Sequence, residues 1–156
     1  MTAEDVLKAA RDKGAMIATA ESCTGGMVSV AMTDIVGSSA VFDRGFVTYT
    51  NAAKIEMLGV KQSTLDAHGA VSEQVASEMA QGARNHSNAD IAVAITGIAG
   101  PGGSEHKPEG RVCFGIATPQ ATLTETCEFG ALGRDRVRLA ARDHALGLLK
   151  RAIDSI

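Results

Sequence analysis

The chain has 156 residues, a length that suits one domain with a buried core, and 45% of them are apolar. Its net charge of −3, with one Tyr and no Trp, argues against nucleic-acid binding through phosphates or stacked bases. No apolar stretch approaches the roughly 20 residues that a membrane helix needs. Three cysteines without a pairing pattern favour a reducing, cytoplasmic location. We therefore expect a single domain over residues 1–156 that binds neither nucleic acid nor a membrane.

Helical and extended patterns alternate along the chain. In chain order they predict a helix from the cap Thr2 to Lys13, a strand over 15–20, a helix over 24–34, a strand over 42–50, a helix over 52–58, a short turn after Ser63, a helix over 73–85, a strand over 91–96, strands over 111–118 and 122–129, and a helix over 133–153. Thr24, Asn51 and Ser72 are the predicted N-caps of the helices that follow them. Because the last two strands form a hairpin, we predict an α/β fold, a three-layer α/β/α sandwich around a mixed sheet.

Residues 20–26 read Ala-Glu-Ser-Cys-Thr-Gly-Gly, between a predicted strand and a predicted helix. This pattern places Ser22 at the turn, with Thr24 as the cap and two glycines opening the helix. A helix N-terminus presents unpaired N–H groups that favour an anion or a developing oxyanion. Ser22 is therefore a candidate nucleophile. Cys23 is a rival, since a helix N-terminus would lower the pKa of its thiol.

A serine nucleophile needs a base, and none of the four histidines lies in a recognisable triad motif. Lys54 is the best-placed alternative because it lies with Tyr49 where a strand runs into a helix. A buried lysine can lose its proton and act as a base. The alternative interpretation is a solvated lysine beside a half-buried strand tyrosine.

Two further segments have the character of a ligand site. The glycine-rich loop over 97–110 follows the strongest strand signal, where ligands of open α/β sheets bind. Arg134, Arg136 and Arg138 open the last helix, where the helix dipole disfavours cations unless an anion binds. A flexible loop and a solvated turn are the alternatives. The His and Cys residues lack metal-ligand spacing, so no metal site is predicted.

Five motifs occur in a fixed order, at residues 20–26, 37–39, 45–49 with Asn51 and Lys54, 68–72 and 97–101. Together they closely resemble the competence/damage-inducible protein (CinA) family, and in particular its C-terminal domain, the nicotinamide-nucleotide amidohydrolase. The resemblance spans nearly the whole chain. It implies the stand-alone form, without the additional N-terminal domain that many family members carry.

The resemblance implies hydrolysis of nicotinamide mononucleotide to nicotinic acid mononucleotide and ammonia, without a cofactor, by a cytoplasmic homo-oligomer. The implied catalytic residues are Ser22 as nucleophile, Lys54 as base and Tyr49 as an assisting group. The predicted substrate-binding residues are Cys23, Thr24, Gly25, Gly26, Ser39, Thr48, Asn51, Thr96, Gly97, Gly100, Arg134 and Arg138. The chain departs from the family pattern before the last helix and at Glu109, where a small apolar residue is usual.

Two other functions are compatible with the same sequence. One is a non-catalytic protein-interaction module connected with competence or DNA damage. The other is an amidohydrolase for a different phosphorylated nucleotide. An intact set of Ser22, Tyr49 and Lys54 favours an enzyme over the interaction module.

Overall fold

The computed structural model describes residues 2–156 and builds them into six α-helices and five strands. The helices are α1 (Ala3–Lys13), α2 (Met27–Thr33), α3 (Asn51–Leu58), α4 (Gln62–His68), α5 (Glu73–Asn85) and α6 (Arg134–Ser155). The strands are β1 (Ile17–Glu21), β2 (Phe42–Val47), β3 (Ile91–Gly97), β4 (Arg111–Ala117) and β5 (Thr122–Glu128), and a 3₁₀ turn covers Ser38–Ala40. No helix within residues 2–156 is long and apolar enough to cross a membrane.

The five strands form one mixed sheet in the order β2-β1-β3-β4-β5. Strands β2, β1 and β3 run parallel, whereas β4 and β5 continue the sheet in antiparallel fashion as a hairpin. The carboxyl ends of the three parallel strands therefore lie side by side at one edge of the sheet.

Side chains of the central strands alternate between two cores, as the strand period of two requires. On β3, Ile91, Val93 and Ile95 pack with α1, α2 and α6, whereas Ala92 and Ala94 pack with α3, α4 and α5. Helices thus cover both faces of the sheet. The predicted α/β/α sandwich around a mixed sheet is confirmed.

Most predicted elements occur, but two helix caps differ and a helix, α4, stands where a short turn after Ser63 is predicted. Helix α2 begins after Gly26, which adopts φ 110°, so Thr24 is not its cap. The hydroxyl of Thr50, rather than Asn51, caps α3 by accepting from Ala53 N. Lys61 precedes α4, and Ser63 lies inside that helix. Thr2 and Ser72 cap α1 and α5 as predicted.

Candidate active site

A cavity of about 340 Å³ opens where the three parallel strands end. Ser22 directly follows β1, Tyr49 follows β2, and the glycine-rich loop follows β3. Helix α3 contributes Lys54 from one side, and the start of α6 contributes Arg134 from the other. The fold therefore brings together at one site the two segments that the sequence suggests for catalysis and the two that it suggests for ligand binding.

The amino group of Lys54 lies 3.1 Å from the hydroxyl oxygen of Ser22. It also donates to the carbonyl oxygens of Thr48 at 3.2 Å and Tyr49 at 3.5 Å. Only 2% of Lys54 and 8% of Ser22 is exposed. Burial lowers the pKa of Lys54 because the charged amine loses its hydration. A buried amine beside a serine hydroxyl has the geometry of a nucleophile and its base.

A buried carboxylate occupies the position at which we expected an anion site. Glu21, fully buried at the end of β1, accepts from the N–H groups of Val28 and Ser29 in the first turn of α2. The hydroxyls of Thr24 and Ser29 also donate to Glu21. These two α2 N–H groups are therefore paired with Glu21 and are not left free for a substrate anion.

Cys23 lines the cavity beside Ser22, but its thiol is poorly suited to attack. The side chain is 5% exposed, and burial raises the pKa of the thiol to about 11. Contrary to the sequence expectation, no helix N-terminus lowers this pKa, because α2 begins four residues further on and its N–H groups in the first turn bind Glu21. At neutral pH the thiolate fraction is minute.

Arg134 connects two walls of the cavity. Its guanidinium donates to the hydroxyl of Tyr49 and to the carbonyl oxygen of Gly100, each at 2.7 Å. The Tyr49 hydroxyl therefore pairs with Arg134, and only the Tyr49 carbonyl contacts Lys54. Arginine has five N–H donors, so the two contacts leave capacity for an anionic ligand.

The other two arginines at the start of the last helix, Arg136 and Arg138, do not line the cavity. Arg138 donates to the carbonyl oxygens of Cys23 at 2.9 Å and Thr24 at 3.4 Å, so it supports the serine turn from behind. Arg136 is exposed. Arg134 is thus the arginine of the three that faces the pocket.

The glycine-rich loop is tied to its surroundings by charged side chains. Glu109 accepts from the N–H groups of Gly102 at 2.7 Å and Gly133 at 3.0 Å, so its carboxylate joins the loop to the residue that precedes α6. Lys107 donates to the carbonyl oxygens of His68 at 2.7 Å and Val71 at 2.6 Å. Glu109, which stands where a small apolar residue is usual in the family, therefore holds the glycine-rich loop next to Arg134.

The cavity includes some of the predicted binding residues and leaves out others. Those that line it are Cys23, Asn51, Thr96, Gly97, Gly100 and Arg134, together with the three predicted catalytic residues. Those that do not line it are Thr24, Gly25, Gly26, Ser39, Thr48 and Arg138. Thr48 and Arg138 instead contact the site residues Lys54 and Cys23, Thr24 donates to the buried Glu21, and Ser39 is exposed in the 3₁₀ turn.

Sequence reasoning missed Glu105, Ala70 and Val71, which also line the cavity. Ala70 and Val71 belong to the 68–72 motif, which contributes to the family resemblance but contains no side chain with an evident chemical role. Glu105 lies in a loop whose path no periodic pattern predicts. Among residues 2–156, the cavity lining contains this one carboxylate.

A second group of titratable side chains lies on β5 and α6, outside this cavity. The ligand atoms of Glu125, Cys127 and His144 lie within 4.8 Å of one another, a proximity that the spacing of these residues in the sequence does not reveal. The residues are close because strand and helix pack together. His144 contacts Glu125, and Arg151 lies 3.7 Å from the same carboxylate. These contacts satisfy the carboxylate within the chain.

The buried lysine predicts a distinctive dependence of stability on pH. Because the pKa of Lys54 is lower in the folded protein, its protonated form opposes folding. That cost is fully present below the folded-state pKa and disappears as pH rises to the unfolded value, about 10.4. Relative to Lys54→Met, wild-type unfolding free energy should rise by up to about 1.4 kcal/mol per pH unit in this window. Urea unfolding of both proteins from neutral to alkaline pH measures it, and parallel profiles would exclude a depressed pKa.

Comparisons with known proteins agree with this fold. Residues 1–153 match the family model of the CinA C-terminal domain. Nicotinamide-nucleotide amidohydrolase PncC of Escherichia coli K12 is 53% identical over 147 residues, which cover 94% of this chain and 89% of that protein. The protein of the same name from Enterobacter agglomerans is 56% identical over 135 residues, which cover 85% of this chain and 82% of that protein. The crystal structure of a CinA superfamily protein from Klebsiella pneumoniae 700603 has a TM-score of 0.95 and 34% identity, covering 99% and 96% of the two chains.

Proposed function

The chain belongs to the CinA C-terminal domain family, and we propose that it hydrolyses nicotinamide mononucleotide to nicotinic acid mononucleotide and ammonia. Two similar proteins bear the name nicotinamide-nucleotide amidohydrolase and match most of the chain. The observation that carries the proposal is the buried amine of Lys54, 3.1 Å from the hydroxyl of Ser22, at the floor of a cavity.

In the first step, the oxygen of Ser22 attacks the carboxamide carbon of the substrate. Neutral Lys54 takes the hydroxyl proton through its lone pair, while its two N–H bonds point to the Thr48 and Tyr49 carbonyls. The resulting ammonium passes a proton to the leaving nitrogen as the C–N bond breaks. Ammonia leaves, and an ester joins Ser22 to the nicotinoyl group.

In the second step, water attacks the ester and Lys54 takes a proton from that water. The C–O bond to Ser22 breaks, and the proton returns to the serine oxygen. The products are the carboxylic acid and free enzyme, so one water is consumed and one ammonia is released.

The negative oxygen of each tetrahedral intermediate needs N–H donors. We expect them from the backbone around Ala99 and Gly100, which line the cavity, and from Cys23. Gly25 is excluded, because its N–H already donates to the Ser22 carbonyl at 3.0 Å. One such donor typically contributes about 3–4 kcal/mol to the transition state.

Arg134 is the proposed contact for the substrate phosphate, since it lines the same cavity as Ser22 and its guanidinium has donors to spare. Arg134→Ala should raise KM for the mononucleotide roughly tenfold, with a smaller effect on kcat. With the dephosphorylated riboside as substrate, Arg134→Ala should change KM little, because the phosphate contact is absent in both enzymes. Steady-state kinetics on both compounds measures it, with Arg136→Ala as the matched control. An equal loss on both compounds would place Arg134 near the amide instead.

The proposed function is tested by ammonia release from a panel of nicotinamide nucleotides and other amide-bearing nucleotides. The mononucleotide should have the highest kcat/KM, and its acid should form in equal amount to ammonia. If only another phosphorylated nucleotide released ammonia, the amide-hydrolysis mechanism would stand, but the substrate would not be nicotinamide mononucleotide. No release from any amide would overturn the proposal.

We also infer a homo-oligomer in a reducing cytoplasm. Strand β5 is an edge of the sheet, and beside α6 it borders an apolar cavity of about 620 Å³ with Leu123 exposed. Such an edge favours a second copy. The three cysteines are free thiols, two of them buried, which suits a reducing compartment. Sedimentation of wild type and Leu123→Glu tests the assembly.

A further inference from the structure

The charges around the cavity are unevenly distributed. Among the described residues that line it, Lys54 and Arg134 carry basic groups and Glu105 carries the one carboxylate. Lys54 is needed as a neutral base, and Arg134 contacts Tyr49 and Gly100. Glu105 therefore provides the cavity's formal negative charge.

The turn that carries Glu105 is held in place on both sides. Ser104 and Lys107 exchange backbone hydrogen bonds at 2.9 and 2.8 Å, and Glu105 itself adopts φ 52°. The amine of Lys107 fixes the turn to the His68 and Val71 carbonyls. A β-carbon on Gly69 would lie 2.6 Å from the Oε2 atom of Glu105, so the carboxylate rests against that glycine. The backbone of the turn is thus fixed, and it presents the exposed Glu105 side chain at the cavity wall, with the Lys107 amine against the same glycine.

A nicotinamide nucleotide has a positively charged ring, because its ring nitrogen is bonded to the ribose. The carboxamide that Ser22 attacks is attached to the same ring, so the positive charge must enter the cavity with it. We propose that Glu105 is the counter-charge for this ring and makes the site selective for cationic pyridinium amides over neutral ones. This inference rests on the proposed function and adds a specificity-determining residue to it.

The same carboxylate couples substrate binding to the base. Burial is the dominant influence and lowers the pKa of Lys54, whereas a charge on Cys23 and, less strongly, the Glu105 carboxylate act in the opposite direction. The Glu105 carboxylate therefore moves Lys54 toward its protonated form in the empty site. A bound pyridinium neutralises that influence and itself repels a protonated amine. The cationic substrate therefore helps to create the neutral lysine that its hydrolysis requires. The titratable and charged groups around Lys54 and Glu105 are Glu21, Cys23, Tyr49, Lys107, Arg134 and Arg138.

The first test is charge selectivity in Glu105→Gln. Its probes are nicotinamide mononucleotide and the reduced dihydro form, whose ring is neutral, the latter measured as a competitive inhibitor. We expect KM for the cationic substrate to rise about tenfold while the inhibition constant of the neutral form changes less than about twofold. Glu105→Asp should restore most of the selectivity. Glu56→Gln, an equal change of charge on the exposed face of α3, should match wild type.

The second test is the pH profile, which a merely structural role would not move. In Glu105→Gln, the ascending limb of kcat/KM should shift to lower pH, because the free enzyme loses the group that favours protonated Lys54. At neutral pH, kcat should not fall. The inference would be overturned if Glu105→Gln weakened binding of the cationic and the neutral ring forms equally, or if the ascending limb of the kcat/KM profile did not move. Failure of the wild type to release ammonia would instead overturn the proposed function.

Discussion

Ser22→Ala is expected to lower deamidation by at least about a thousandfold while the protein stays folded. The physical reason is that the attacking oxygen is lost, whereas the methyl group fits the same buried position. Ammonia release measures the activity. Circular dichroism and thermal unfolding check the fold. Wild-type turnover in this variant would exclude Ser22 as the nucleophile.

Cys23→Ala is the matched control for that experiment, because Cys23 is the adjacent residue and lines the same cavity. We expect a mild effect, since burial holds the pKa of this thiol far above neutral pH, at about 11. If Cys23→Ala lost more deamidation activity than Ser22→Ala, the nucleophile would be Cys23 instead of Ser22.

Lys54→Arg is expected to be nearly as damaging as Lys54→Ala, with kcat lowered by roughly a hundredfold or more. Arginine keeps a positive charge and hydrogen-bond donors, but it does not give up its proton in proteins, so it cannot accept one from Ser22. Single-turnover kinetics isolates the chemical step. In wild type the rate should rise with pH as Lys54 loses its proton, with an apparent pKa below that of a free lysine.

The control for Lys54 is Lys61→Arg, a lysine just before α4 that does not line the cavity. It should behave as wild type. If Lys54→Arg retained substantial activity, the amine would act through its charge, and the base role would be refuted.

The architecture could be predicted because local signals and tertiary packing agree. Buried strands such as β3 are continuous apolar runs, and the hairpin β4–β5 follows from two consecutive extended segments with a short connection. The pairing of Ser22 with Lys54 was also predictable, since each lies where a strand runs into a helix and the family resemblance gives them a joint role. The prediction for the glycine-rich loop rested on the same rule for open α/β sheets.

What the sequence could not give was the pairing of individual groups. A strand-to-helix turn followed by glycines indicates an anion site, but the buried carboxylate of Glu21 reaches the same N–H groups first. Arg134 and Arg138 lie one turn apart on α6, yet one faces the cavity and the other supports the serine turn. Such differences depend on side-chain directions and loop paths, which periodicity does not encode.

The most direct test of the account is a rapid-quench single turnover with excess enzyme and nicotinamide mononucleotide labelled in its ring, followed by peptide mapping. We predict that label appears transiently on the enzyme peptide that contains Ser22, attached to the serine oxygen. This label should appear together with ammonia and decay as the acid forms. No such adduct should form in Ser22→Ala. Label on Cys23, or complete turnover with no label on any enzyme peptide, would contradict a serine nucleophile activated by Lys54.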